Sequence, residues 1–217
     1  TYCEAILRVY NRYGRRDNLY KARIKILVKA LGVAEFKRQV EEEWAFGKGG
    51  PNTLTEAELT RVAGHFTTPA YETLPSDDAS YVSQRAANPA FAAWARRNVI
   101  AHQQPGYAVV VLSLKDPKRA PGDITDAQLE LVAELADAYS FGEVRATHEQ
   151  NLVLADVKLS DLFAVWEKAR AAGLATPNFG LLTDLICCPG GDFCALANAK
   201  SIPIANAIQA RFDDLDY

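Results

Sequence analysis

The sequence of 217 residues has no methionine, no apolar run long enough to cross a bilayer and almost no excess of charge of either sign. A membrane-spanning helix takes about 20 apolar residues, so no membrane partner is expected. Arg8, Arg12, Arg15 and Arg16 break up the N-terminal stretch, which is not expected to act as a signal peptide. Lys and Arg number 24 against 27 Asp and Glu, a net charge of −3. That balance lacks the basic footprint of a chain devoted to nucleic acid, and no nucleic-acid partner is expected. Cysteine is sparse: there are 4, two of them adjacent, unlike the evenly spaced framework of a secreted disulfide protein. A reducing, cytoplasmic setting follows as the expectation. The lack of Met, even at position 1, fits a segment of a longer chain.

What is present divides into two patterns. Residues 2–13 carry Ala5, Ile6, Val9 and Tyr10 at helical spacing. A second helix is expected from Leu19 to about Gly32, with Ile24, Leu27, Val28 and Leu31 on its buried face. A third is expected over 33–45 with Phe36, Val40 and Trp44 aligned, and a short one near Thr55, where Thr55 and Glu58 fit a capping box. Residues 67–94, rich in Pro, Ser and Asp at their start, read as a linker. Beyond them Tyr107–Leu114 is a β-branched apolar run expected to be a buried strand. Ile124–Tyr139 is a helix with Leu129, Val132, Leu135 and Ala136 toward the core. Glu143–Thr147 and Asn151–Ala155 are short strands, and Ser160–Ala172 is a further helix. This βαββα order over 95–175 is a ferredoxin-like half-domain awaiting a last strand, expected at Leu181–Ile186. The fold class is therefore α+β.

Three groups of residues carry candidate chemistry. Cys188 and Cys194 are separated by five residues that include Pro189-Gly190-Gly191, a turn able to bring two thiolates to one metal ion or cluster. Cys187 is assigned to packing, because adjacent side chains diverge, and Cys3 to the core. Arg145 and Thr147 fall on one face of a strand, with Gln150 and Asn151 in the next turn; such a set of donors suits a polyanionic ligand. Lys21, Lys25 and Lys29 share one helix face, read as a solvated surface together with Arg12, Arg15, Arg16 and Arg23. His65, His102 and His148 show no ligand spacing.

The segment Thr183–Ala197 (TDLICCPGGDFCALA), the turn Arg145–Leu152 (RATHEQNL) and Asn18–Leu31 (NLYKARIKILVKAL) together resemble the siroheme-dependent nitrite and sulfite reductases, in the family's order. The resemblance implies that Cys188 and Cys194 are two ligands of a 4Fe-4S cluster whose other pair, a C-x3-C, does not follow Cys194 in these residues. It implies that Arg145, Thr147, Gln150 and Asn151 face the siroheme, whose carboxylates explain an Arg and amide set. Residues 1–66 then belong to the helical end of a first siroheme/cluster domain, and 176–217 to the start of a second. The substrate implied is sulfite or nitrite, reduced by six electrons from a flavoprotein or ferredoxin. The 217 residues by themselves are expected to bind neither siroheme nor cluster and to show no turnover. Two other readings remain: a thiol-based metal-binding or redox module on the cysteines, or a non-catalytic docking domain.

Overall fold

The structure, a computed structural model, describes residues Thr1–Phe212; residues 213–217 of the expected segment 176–217 lie outside it. It forms two compact units, Thr1–Thr68 and Pro69 onward. No helix among the described residues is long and apolar enough to cross a membrane.

The first unit is helical: α1 (Tyr2–Tyr13), α2 (Ile24–Leu31), α3 (Val33–Gly47) and α4 (Glu56–Ala63). The helix expected to begin at Leu19 starts at Ile24, because Asn18 caps a separate 3-10 turn, Leu19–Lys21, by accepting from the Tyr20 amide. Ala5, Val9 and Val40 are buried, with Ile6, Phe36 and Trp44 packed against them. The buried Glu43 carboxylate accepts ion pairs from Arg8 (3.3 Å) and Arg12 (2.6 Å). Thus Arg12 is more than solvated surface, whereas Lys21, Arg23, Lys25 and Lys29 are exposed as expected. Cys3 is exposed, not a core residue.

The second unit begins with a correction. The stretch expected as a linker, 67–94, holds α5 (Ala79–Ala87) and the start of α6 (Pro89–Asn98). Its polar residues are helix starts. Asp78 accepts from the Tyr81 amide, and Asn88 accepts from Ala90 and Phe91 with Pro89 in the first turn. Phe91 and Trp94 of α6 are fully buried and stack at 5.8 Å. They join Val132 and Leu135 of α7 (Asp126–Tyr139) and Val165 and Trp166 of α8 (Leu162–Ala171) over one face of the sheet. Leu129 is the exception on α7, half exposed where a core position was expected.

The sheet has the order β1-β2-β4-β3, all antiparallel: β1 (Val99–Ala101), β2 (Tyr107–Leu112), β3 (Arg145–Ala146) and β4 (Leu152–Lys158). This is the expected α+β, ferredoxin-like half-domain with one change. Leu181–Ile186 does not close the sheet. A 3-10 turn over Leu182–Asp184 takes its place, and the edge of β2 is already paired with β1. The buried side chains of Asn178 and Gln209 both donate to the Thr183 carbonyl, at 3.2 and 3.3 Å, occupying a group that a ladder would need.

On the sheet's other face Tyr107 and Asp156 point away from the helices, and the extended chain before α5 lies across them. Tyr71 donates its hydroxyl to Asp156 Oδ1 at 2.6 Å, and His102 Nε2 lies 3.2 Å from the same oxygen. Tyr71 also packs edge-on to Tyr107 and Phe141. Glu72 pairs with Lys158, and its amide donates to the Tyr107 hydroxyl. Gly106 permits this crossing: its φ is +78°, and a Cβ there would sit 2.3 Å from Leu74 Cβ.

Two outcomes are expected. Trp94→Ala should lower stability by about 3–5 kcal/mol, as for other large core truncations, where a linker position would give no change in the urea midpoint. The bond to Asp156 and burial push the Tyr71 phenol up from 10.0 to about 12. The unfolded chain therefore loses this proton first, so the stabilisation is complete below pH 10.0 and falls as pH rises toward about 12. Tyr71→Phe should remove that alkaline slope from stability measured across the window.

Candidate cluster-ligand segment

Beyond its last paired residue, β2 runs on as Ser113, Leu114 and Lys115, all buried. Beside it, β3 turns into β4 through Thr147–Asn151. Thr147 and Asn151 hold the turn by a main-chain bond of 3.0 Å, and the Asn151 amide reaches Thr147 Oγ1 at 3.3 Å. Gln150 takes a φ of +59°, uncommon for a residue with a side chain.

The side chains at this end of the sheet face inward on one another. Asn151 accepts from the Leu114 amide at 3.1 Å and donates to Asp184 Oδ1 at 2.8 Å. The other Asp184 oxygen accepts from the Gly180 amide at 3.1 Å. Gln150 pairs with the main chain of Cys187 in both directions: Nε2 donates to the carbonyl and Oε1 accepts from the amide, each at 2.9 Å. Lys115, with its side chain fully buried, donates to the carbonyls of Glu149 and Gln150 and lies 3.9 Å from Asp184 Oδ1. Burial pushes its ammonium below the ordinary lysine value, while Asp184 and Glu149 act in the opposite direction.

This network carries the cysteines. Cys187 is buried with its thiol 3.3 Å from the Cys188 carbonyl. Burial, reinforced by Cys188, pushes that thiol up and disfavours the thiolate. Cys188 and Cys194 are exposed, on either side of a 3-10 turn over Gly190–Asp192. The Cys194 amide donates to Gly190 at 2.8 Å, and Gly190 has a φ of +61° with Ala199 O only 2.6 Å from where a Cβ would be. The turn is tight because no larger residue fits there.

A cleft of about 580 Å³ opens beside the network. Thr147, Gln150 and Asn151 line it together with Ile124, Leu129, Leu152, Pro189 and Phe193. This explains the exposure of Leu129. Arg145 does not line it. Ala146 does, so Arg145 points the other way and pairs with Glu143, contrary to the expectation that Arg145 and Thr147 share a face. The strand ends at Ala146, and Thr147 already belongs to the turn. The sequence reading missed Lys115 and Asp184; the one signal was a lysine directly after an apolar strand.

Comparison with known proteins bears on this arrangement. The family described as the nitrite/sulfite reductase ferredoxin-like half domain matches residues 101–172, and the nitrite and sulphite reductase 4Fe-4S domain matches 1–48. The chain belongs to the nitrite and sulfite reductase family. Cys188 and Cys194 lie outside both matched stretches. The ferredoxin–nitrite reductase of Zea mays, named chloroplastic, is 29% identical over 216 residues, which cover 96% of this chain and 32% of that protein. The ferredoxin–nitrite reductase of Synechococcus elongatus is 27% identical over 214 residues, covering 96% and 34%. The structure of the Mycobacterium tuberculosis NirA protein superposes with a TM-score of 0.58 at 22% identity, over 99% of this chain and 33% of that one. The chain spans about a third of the length of these relatives.

The residues fit the family's cofactors unevenly. Two exposed thiols on one tight turn match half the ligands of a 4Fe-4S cluster, and no group of three or more His, Cys, Asp or Glu converges among the described residues. The apolar cleft suits a macrocycle, but the Gln150 and Asn151 amides are engaged by Cys187, Leu114 and Asp184. Asn151→Ala should strand the Leu114 amide and an Asp184 oxygen, costing about 1–3 kcal/mol for each. A urea titration of the variant would register the loss.

Proposed function

We propose that this chain supplies one side of the siroheme and cluster centre of a reductase acting on nitrite, with sulfite as the second candidate. The observation that carries the reading is the placement of Cys188 and Cys194 on an exposed turn fastened to the Thr147–Asn151 turn. In this reading Cys188 and Cys194 hold two irons of the cluster. Thr147 faces the siroheme from the cleft wall, whereas Arg145, turned to the other side and paired with Glu143, is left out of the siroheme set. Gln150 and Asn151 act at one remove, by fixing the cysteine segment. When bound, siroheme coupled to the cluster would relay electrons from an external donor for six-electron reduction of the anion, nitrite to ammonia or sulfite to sulfide.

The names of the relatives favour nitrite as substrate and ferredoxin as donor, over sulfite and a flavoprotein. Residues 1–66 are assigned to the first siroheme/cluster domain, 95–175 to the half-domain and 176–217 to the second siroheme/cluster domain. The free thiols suit a reducing compartment, the cytoplasm or a plastid.

The 217 residues alone hold neither group, since two thiolates are half of what a four-iron cluster takes. After anaerobic reconstitution with iron, sulfide and siroheme, the chain should show no Soret band and iron well below stoichiometry. In a reductase containing this chain, Cys188→Ser or Cys194→Ser should abolish the cluster signal, whereas Cys187→Ser should retain it. A tight equivalent of zinc on the isolated chain, with all three thiols protected, would point instead to a metal-binding module.

A further inference from the structure

In extended backbone, neighbouring side chains project to opposite sides. Of Cys187 and Cys188 one must turn inward and the other outward, and a slip of one residue exchanges them. Nothing in the two side chains themselves decides which. We propose that Lys115 is the positioning residue that sets this register, acting through Asp184 and Gln150 to hold Cys187 in and Cys188 out.

The segment Leu181–Cys188 makes no ladder with the sheet, so its register is fixed at separate points. One is the Asp184 carboxylate, held by Asn151 at 2.8 Å and Gly180 at 3.1 Å. The other is the two-way pair between Gln150 and Cys187. Lys115 touches both. Its ammonium is the cation beside the buried Asp184, at 3.9 Å, and a buried carboxylate without a counter-charge is costly. It also takes the carbonyls of Glu149 and Gln150, the peptides that must be turned for Gln150 to reach φ +59° and present its amide to Cys187. An apolar side chain in that place would fill the volume, take the lysine's bonds from the Glu149 and Gln150 carbonyls and leave Asp184 without its counter-charge. The Gln150 amide would then be free to bond the Cys188 main chain instead, which turns Cys188 inward and Cys187 outward.

The consequence for a cluster, that Cys188 and not Cys187 is offered as ligand, rests on the function proposed above; the pattern of thiol exposure does not. The test is pulsed alkylation of the reduced 217-residue chain with N-ethylmaleimide, with fragment-ion mass spectrometry separating label on Cys187 from label on Cys188. In the unaltered chain Cys188 and Cys194 should label at least a hundredfold faster than Cys187. Lys115→Met should raise labelling of Cys187 at least tenfold and lower that of Cys188. A general loosening of the fold would raise the first without lowering the second, so the fall at Cys188 is the deciding readout. If Lys115→Met does not fold by circular dichroism, Lys115→Gln decides. It keeps a donor for the Glu149 or Gln150 carbonyl, removes the positive charge beside Asp184 and should produce the same exchange. Folded variants in which Cys187 stays protected and Cys188 labels as before would overturn the proposal. If the exchange occurs but Cys188→Ser leaves the cluster of the reductase intact, the positioning role stands and the ligand assignment falls.

Discussion

The carboxamide of Gln150 pairs with the main chain of Cys187 through both its oxygen and its nitrogen, and the placement of the cysteine segment depends on that pair. A side chain here takes the part that an adjacent strand plays in a ladder, with one donor and one acceptor matched at 2.9 Å. Such a pair specifies one residue and no more. A ladder of several residues would fix the segment over its length and keep it flat. The single pair leaves Cys188 to Cys194 free to wrap through Gly190, which a regular strand would forbid. The uncommon backbone angle at Gln150 costs on the order of 1–3 kcal/mol, and it persists because Lys115 and Thr147 hold the peptides on either side.

The two faces of the sheet use different physics. On the helical face Phe91, Trp94, Leu135, Leu154 and Trp166 exclude water, and position follows from shape. On the other face a buried carboxylate, Asp156, organises a phenol, an imidazole and crossing chain. The end of the sheet repeats the second pattern, with Asp184 at the centre and Lys115, Asn151 and Gly180 around it. In each case a carboxylate out of water gathers donors whose direction is set by the main chain that carries them. That makes polar burial the source of precision at the site, and apolar burial the source of its support.

The sequence reveals the helices of both units because apolar spacing survives in α1, α3, α7 and α8. It reveals β2 because eight apolar or small residues follow one another from Tyr107. It misleads over 67–94, where Asp78, Asn88 and Pro89 look like loop residues and are helix caps. Composition counts them; only their offset from Tyr81 and Phe91 tells caps from linker. The strand expected at Leu181–Ile186 fails for a different reason. Its own residues are apolar enough, but the edge it needs is taken by Val99–Ala101, a run too short to register. At the site, the cysteines and the polar turn are legible as types. Their connection is not, since Lys115 and Asp184 are distant in sequence from Gln150 and carry no pattern. The outward turn of Arg145 is equally hidden, because it depends on a strand ending one residue early.

The origin of the edge strand has a consequence for the order of events in synthesis. Every strand of the sheet is complete in the sequence by Lys158, and the covering helices by Ala171. The first cysteine of the second unit comes only at position 187. Because domains tend to fold as units while the chain emerges, the sheet and its helices reach solvent before any of the unit's thiols does. A closing strand drawn from Leu181–Ile186 would have reversed this, tying completion of the sheet to the residues next to Cys187. As built, the thiols arrive at a surface already formed, and the interval in which they are exposed on an unfolded chain is brief.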